Sequence, residues 1–258
     1  MPEEGQLRRD LCEIGRRMWM QGLVAATDGN FSVRLTEDRL LATPTGVNKG
    51  FMSPEEIVKI DLGGQPVEGF TRPSSEIKMH LAIYERRPDV CAVVHGHPPT
   101  ATGFAAARVP VPTEILTEAH TFLGPVAVVE YATPGSASLP QALARHVKEH
   151  NLFLLANHGA VAVGSDLFQA SYRMEALEQS AKIAITARLL GGAQAIEDAE
   201  LAKLHQIRGQ LGLLPTEESC LAAGEACGRA ETDDETLIAR ITELVLEELR
   251  QRPVTGDR

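Results

Sequence analysis

Two histidines one residue apart, His95 and His97, directly follow the short apolar run Val90–Val94. A wholly apolar run of this length, flanked by chain-breaking residues, is typical of a buried strand. Residues i and i+2 of a strand project from the same face, so the two imidazoles can converge on one point. Because imidazole is a common zinc ligand, the pattern predicts either two ligands of a metal ion or ordinary polar packing.

A third histidine, His158, follows a second apolar run, Leu152–Ala156, and precedes Gly159, which leaves space around the imidazole. The apolar residues on both sides of this position predict two strands joined by a tight turn. Three histidines and one open position are the arrangement of catalytic zinc, in which the open position accepts water or substrate. The three histidines are therefore the candidate metal ligands.

The other five histidines have less distinctive surroundings. We interpret His80 as part of the packed or polar face of a helix. Polar, helix-like stretches surround three more, which we expect to be solvated: His146, His150 and His205. His120 lies in an irregular segment that could reach the metal pocket.

Glu76 is the candidate acid/base, at the predicted start of a helix. We expect Ser74 or Ser75 to be the N-cap and Glu76 to lie in the first turn, where a carboxylate is often only a capping or dipole-stabilising group. The serine hydroxyls and backbone N–H groups there can also bind a phosphate. Two glycine-containing turns, Thr27–Asn30 and Thr43–Gly46, offer further donors, although each alone is also typical of a plain β-turn.

Hydrophobic periodicity indicates the elements that position these residues. Apolar residues three and four apart predict helices over Leu7–Leu23 and Leu167–Leu189. Strands are predicted for six runs: Asn30–Leu35, Leu40–Thr43, Ile57–Leu62, Val90–Val94, Leu152–Ala156 and Ala160–Val163. The segment from Ala193 to Arg250 is rich in Glu, Ala and Leu and is predicted to be helical, with breaks near Gly212 and Gly228.

The composition is that of a globular protein, with 43% hydrophobic and 23% charged residues among 258. Without a flexible linker in the first 190 residues, we predict one domain over 1–192 and a helical extension over 193–258, packed on the same or a neighbouring subunit. A formal net charge of -10 argues against nucleic acid or an anionic membrane as partner. No secretory segment, membrane span or C-x-x-C pair is apparent, so we expect a cytoplasmic location.

Five motifs, taken in order, resemble the class II aldolase/adducin family, whose best-known members include L-fuculose-1-phosphate aldolase. They are TDGNFSVR at 27–34, TPTG at 43–46, PSSE at 73–76, AVVHGH at 92–97 and NHG at 157–159. The resemblance covers about residues 7 to 190. It implies an α/β fold, a three-layer α/β/α domain with a largely antiparallel central sheet, assembled as a homotetramer with active sites at subunit interfaces.

The resemblance also implies roles for individual residues. It places Zn²⁺, or another divalent metal, on His95, His97 and His158, with Glu76 as a ligand of the resting metal and as the acid/base. The phosphate-binding residues correspond to Asn30, Thr45, Gly46, Ser74 and Ser75. The implied activity is that of a zinc-dependent lyase. It cleaves a ketose 1-phosphate, such as L-fuculose 1-phosphate, to dihydroxyacetone phosphate and an aldehyde through a metal-stabilised enediolate.

Residues 110–124 depart from the fuculose-phosphate aldolases, in which a tyrosine from a neighbouring subunit assists the reaction. This segment contains no tyrosine and offers Glu114, Glu118 and His120 instead. The alternatives are sibling reactions on the same zinc platform: a sugar-phosphate epimerase, a methylthioribulose-phosphate dehydratase or a tetronate-phosphate decarboxylase. Glu118 is then either a second acid/base or an interface or surface carboxylate. A non-catalytic adducin-like module is disfavoured, because a scaffold needs neither the three histidines nor Glu76.

Overall fold

The computed structural model describes residues 3–68 and 72–216. Its strands are β1 (Asn30–Arg34), β2 (Arg39–Ala42), β3 (Val58–Asp61), β4 (Pro66–Glu68), β5 (Ala92–Gly96), β6 (Val126–Val129), β7 (Leu152–Leu155) and β8 (Gly159–Gly164). Its α-helices are α1 (Glu4–Met20), α2 (Ile77–Arg86), α3 (Pro99–Ala107), α4 (Ser138–Ala144), α5 (Leu167–Leu189) and α6 (Asp198–Gln210). Two 3₁₀ turns, Lys49–Phe51 and Pro54–Glu56, and a π-helical turn, Ala119–Leu123, complete the elements.

The eight strands form one sheet in the order β4-β3-β2-β1-β5-β8-β7-β6. Every neighbouring pair is antiparallel except β6 and β7, which are parallel. In the centre, Asn30 of β1 lies opposite His95 of β5, and His95 lies opposite Val161 of β8. The register therefore brings two of the candidate site residues side by side at one end of the central strands.

Helices cover both faces of the sheet, because alternate strand residues point to opposite sides and both sides are apolar. One core contains Phe31, Val33 and Val94 together with residues of α1, α3 and α5. The other contains Val93, Phe153 and Val161 together with residues of α2 and α4. The predicted three-layer α/β/α fold with a largely antiparallel sheet is confirmed.

Two differences from the sequence prediction concern the site and the segment that follows it. Helix α2 begins at Ile77 and Glu76 is its N-cap residue, so the prediction that Glu76 lies in the first turn was wrong. The Glu76 side chain is directed towards the histidines instead of capping the helix. The sequence analysis also gave no bounds for a helix or strand in residues 99–151, where the structure has α3, the π-helical turn, β6 and α4.

Helix α3 illustrates why that region was missed. Its residues include Thr and Gly, which are weak helix formers. Its first turn is stabilised from a distance, since the buried carboxylate of Glu178 in α5 accepts hydrogen bonds from the backbone N–H groups of Thr100 and Ala101. This cap satisfies N–H groups that a helix start leaves free, and it holds the segment that follows His97.

Helix α6 begins the predicted C-terminal extension. It packs beside the π-helical turn, where Arg208 donates a hydrogen bond to the backbone oxygen of Thr121. The backbone N–H of Ile196 donates to the oxygen of Glu114. Residues 217–258 of the extension lie outside the described residues, and a boundary at residue 192 stays a prediction. Within the described ranges, no helix is long and apolar enough to cross a bilayer.

Candidate active site

The three candidate metal ligands meet at one end of the sheet. His95 is fully buried at the end of β5, His97 follows it, and His158 ends the turn between β7 and β8. Their ligand atoms lie within 4.8 Å of one another. Gly159 makes this approach possible, because an added Cβ atom would lie 2.5 Å from the backbone oxygen of Gly96 and 2.5 Å from Cδ2 of His97.

Hydrogen bonds set which ring nitrogens face the centre of the cluster. Nδ1 of His95 donates to the backbone oxygen of Ala160 at 2.9 Å, and Nδ1 of His97 lies 3.3 Å from Oδ2 of Asp28. Both contacts favour a proton on Nδ1, which leaves a lone pair on Nε2. The Nε2 atoms of His95 and His97 then face each other at 3.3 Å. Two lone pairs at that distance repel each other unless a cation lies between them.

The carboxylate of Glu76 completes the cluster. Its Oε2 lies 3.3 Å from Nε2 of His95, and its Oε1 lies 3.3 Å from Nε2 of His158. Oε1 is buried and receives no hydrogen bond from any described residue. Ligands at 2.0–2.1 Å from a tetrahedral zinc ion are about 3.4 Å apart, which these spacings match. Three imidazoles and one carboxylate are thus a donor set that fits a divalent metal.

The electrostatics of the cluster also fit a metal. Burial, and next the electrostatic interaction with His95, lower the pKa of His97 and His158, the latter to about 4, so both imidazoles are neutral near pH 7. Burial opposes the ionisation of Glu76, but its interactions with His95, and next with the Asn30 amide, outweigh burial and lower the pKa of this carboxyl. Metal ions bind these deprotonated forms.

The residues predicted to bind phosphate lie on two neighbouring loops and at the start of β1. The loops are joined because the N–H of Thr45 donates to the backbone oxygen of Arg72 at 3.0 Å and Pro44 forms an isolated bridge with Pro73. Thr45, Gly46 and Ser75 are exposed, whereas Asn30 is buried. Gly46 has a φ of +71°, a conformation that favours glycine.

The sequence analysis assigned no functional role to three residues that lie at or beside the site. Lys49 is buried and donates hydrogen bonds to the backbone oxygens of Thr27 and Val47, so it ties the two predicted phosphate turns together. Asp28 contacts the imidazole of His97. His80 is fully buried and contacts Asn30. For His80, the available signal was its spacing of four residues from Glu76, about one helical turn.

Other residues that the sequence analysis considered lie away from the histidine cluster. Glu118 is exposed beside the π-helical turn, and no hydrogen bond or ion pair within the described residues joins it to the histidine cluster. His120 faces α6, close to Leu201 and Arg208, not the metal cluster. His205 is exposed, as expected. His146 and His150 follow α4 and are half-buried, so they are partly solvated.

Comparisons with known proteins agree with this geometry. The family model described as "Class II Aldolase and Adducin N-terminal domain" matches residues 9–185. A 3-oxo-tetronate 4-phosphate decarboxylase of Haemophilus influenzae is 34% identical over 180 residues, 68% of this chain and 85% of that protein. An L-fuculose phosphate aldolase of Methanocaldococcus jannaschii is 32% identical over 179 residues, 69% of this chain and 95% of that protein. The solved structure of an L-fuculose 1-phosphate aldolase matches with a TM-score of 0.72 at 31% identity, covering 78% of this chain and 95% of that one.

Proposed function

Because the chain belongs to the class II aldolase and adducin family, we propose that it is a zinc-dependent lyase that breaks a C–C bond beside the carbonyl group of a phosphorylated sugar derivative. The observation that carries the proposal is the convergence of three imidazoles and the Glu76 carboxylate at the spacing of metal ligands. A zinc ion bound there would supply Lewis-acid chemistry, polarising the carbonyl next to the breaking bond.

The chain's own residues bind the substrate and move the proton. Glu76, ionised in its buried position, serves as the acid/base at the carbon next to the carbonyl. The phosphate group is bound by hydroxyl and N–H groups of Thr45, Gly46, Ser74, Ser75 and the amide of Asn30. The contacts that join the two loops support this, since they place those donors on adjacent segments.

Our proposed substrate is a ketose 1-phosphate of the L-fuculose 1-phosphate type, cleaved to dihydroxyacetone phosphate and an aldehyde. The similarity to fuculose phosphate aldolases supports it. The second candidate is decarboxylation of a 3-oxo-tetronate 4-phosphate, supported by the similarity to a decarboxylase and by the lack of tyrosine in residues 110–124. Both reactions break a C–C bond near a carbonyl group, so the same metal and the same Glu76 serve either.

Glu118 acts as a second acid/base only in an assembly, because its exposed side chain does not contact the cluster of its own chain. We therefore propose a homotetramer in which a neighbouring subunit contributes residues 110–124 to the site. A small sugar phosphate as the substrate and a cytoplasmic location of the protein fit the proposal.

The test compares two products in parallel. Zinc-loaded protein is incubated with L-fuculose 1-phosphate and related 5-deoxyketose 1-phosphates, and dihydroxyacetone phosphate is measured with a coupled dehydrogenase. Release that stops on chelation establishes the aldolase. Release of CO₂ from a 3-oxo-tetronate 4-phosphate, without dihydroxyacetone phosphate from the sugars, would replace it with the decarboxylase. Metal-loaded protein that forms neither product would refute both.

A further inference from the structure

A line of buried hydrogen bonds leads from the candidate acid/base into the interior between β1 and α2. Nδ2 of Asn30 donates to Oε2 of Glu76 at 2.8 Å, and Oδ1 of Asn30 lies 2.7 Å from Nε2 of His80. Nδ1 of His80 lies 2.6 Å from Oγ of Ser32, which lies 2.9 Å from the hydroxyl of Tyr84. All but Glu76 are less than 5% exposed.

The chemistry of the groups fixes the direction of every bond. The ionised Glu76 only accepts, so the Asn30 amide turns its NH₂ group towards it and its oxygen towards His80. Nε2 of His80 must then carry the proton and donate. A neutral imidazole has no proton on Nδ1, so Ser32 donates to it. The hydroxyl of Tyr84 then donates to Ser32 at 2.9 Å, the shorter of its two contacts with an acceptor, since the backbone oxygen of Cys91 lies at 3.4 Å.

Every link beyond Glu76 is neutral. Burial, and next the electrostatic interaction with His95, lower the pKa of His80 to about 3, although Glu76 opposes this shift. Burial raises the pKa of Tyr84, whose ring also lies under the guanidinium of Arg34, 4.7 Å from its centre. The line of bonds therefore neither stores nor releases a proton near pH 7. Its effect is to hold the side chains that it joins in fixed orientations.

We infer that His80 is a positioning residue: it locks the Asn30 amide with its NH₂ group facing Glu76 and so holds the carboxylate in the orientation that faces His95 and His158. The inference rests on the proposed role of Glu76. Without the imidazole, the amide is free to flip and place its oxygen against the carboxylate, and the two acceptors repel each other. Packing alone requires no polar side chain here, since an apolar one fills the same space.

The test uses the whole chain with His80→Leu, which keeps bulk without hydrogen bonds, and His80→Gln, whose amide can donate to Asn30 and accept from Ser32. Ser171→Ala is the matched control, because Ser171 is equally buried and hydrogen-bonded, but to the backbone of α5. Zinc affinity is measured by competition with a chelator, and the cobalt-loaded proteins are compared by visible absorption, which reports ligand geometry.

We expect His80→Leu to weaken zinc binding about 10–100-fold, the range for groups that orient metal ligands, and to change the cobalt spectrum. His80→Gln should restore most of the affinity, and Ser171→Ala should change neither readout. A folded His80→Leu protein with wild-type zinc affinity and spectrum would overturn the inference.

A second measurement needs neither the variants nor activity. In ¹⁵N NMR spectra of the metal-free wild type, the His80 ring should be neutral with its proton on Nε2. A proton on Nδ1 would overturn the inference, even if His80→Leu fails to fold. Loss of zinc affinity in His80→Leu, in a protein that cleaves no sugar phosphate, would support the inference while refuting the proposed function.

Discussion

The two halves of the candidate site are held in different ways. The metal half consists of side chains from the end of β5 and the residue after it, the β7–β8 turn and the start of α2, and contacts inside the chain orient His95, His97 and Glu76. The phosphate half consists of loop residues that are largely exposed, such as Thr45, Gly46 and Ser75. The metal half is therefore already formed before a ligand binds, whereas the phosphate half must compete with water for each hydrogen bond.

The largest effect is expected in the metal half. His97→Ala removes one of three imidazoles, and we expect it to abolish both bound zinc and zinc-dependent activity while the fold remains. Metal content by atomic spectroscopy and the product assay check this. His205→Ala, at an exposed position in α6, is the control and should keep both. Full activity in His97→Ala would refute the zinc mechanism.

Gly159→Ala tests how closely the metal half is packed. Its new Cβ would overlap the backbone of Gly96 and the ring of His97, so zinc affinity should fall about 10–100-fold. The free energy of unfolding should fall by about 1–3 kcal/mol, as for other overpacked sites.

Gly103→Ala in α3 is the matched control for that variant. An added Cβ there meets nothing within 4 Å, and alanine is favoured over glycine inside a helix by about 0.5–1 kcal/mol. Chelator competition and urea unfolding should therefore separate the two glycines. Equal zinc affinities for both variants would show that the cluster tolerates displacement.

Ser75→Ala tests the phosphate half. Loss of one hydrogen bond to a charged phosphate should raise KM about 10–100-fold, because such bonds contribute about 1.5–3 kcal/mol. Because the bond is made equally in ground and transition states, kcat and zinc content should stay constant. Steady-state kinetics check this against Thr36→Ala, a half-exposed position near β2. A fall in kcat with an unchanged KM would move Ser75 out of the phosphate site.

The smallest effect is the pH dependence that His80 adds to stability. Its pKa of about 3 in the folded protein lies below the ordinary value of 6.5, so between these values the unfolded chain binds a proton that the native one does not. Stability therefore falls as pH falls below about 6.5, and His80 contributes a loss of about 0.8 kcal/mol at pH 6.

His80→Gln removes that contribution, so its unfolding free energy should depend less steeply on pH than that of the wild type. Urea unfolding of the metal-free proteins between pH 7.5 and 5 measures the difference. Ser32 and Asn30 contact the His80 ring, and Glu76 and His95 act on it electrostatically, and all four are retained in the variant. Ser75→Ala should give a curve parallel to that of the wild type. If the curve for His80→Gln is also parallel to that of the wild type, His80 binds its proton equally in the folded and unfolded states.

Much of the fold followed from local patterns. The apolar runs before His95 and His158 predicted buried strands, and the long periodic segment before Gly191 predicted α5. No helix or strand bounds were predicted in residues 99–151, because α3 is capped by Glu178 of a distant helix and β6 pairs as an edge strand with β7. Such elements depend on partners that lie far away along the chain.

For the candidate site, the sequence by itself determined the chemistry: three histidines and a glutamate that can bind a metal, and loop residues that can bind phosphate. Only the tertiary structure decided which nitrogens face the cluster, that Gly159 must lack a side chain, and that His80 contacts Asn30. The physical reason is that residue type fixes what a group can donate or accept. Register, burial and packing between distant segments fix which partner it meets.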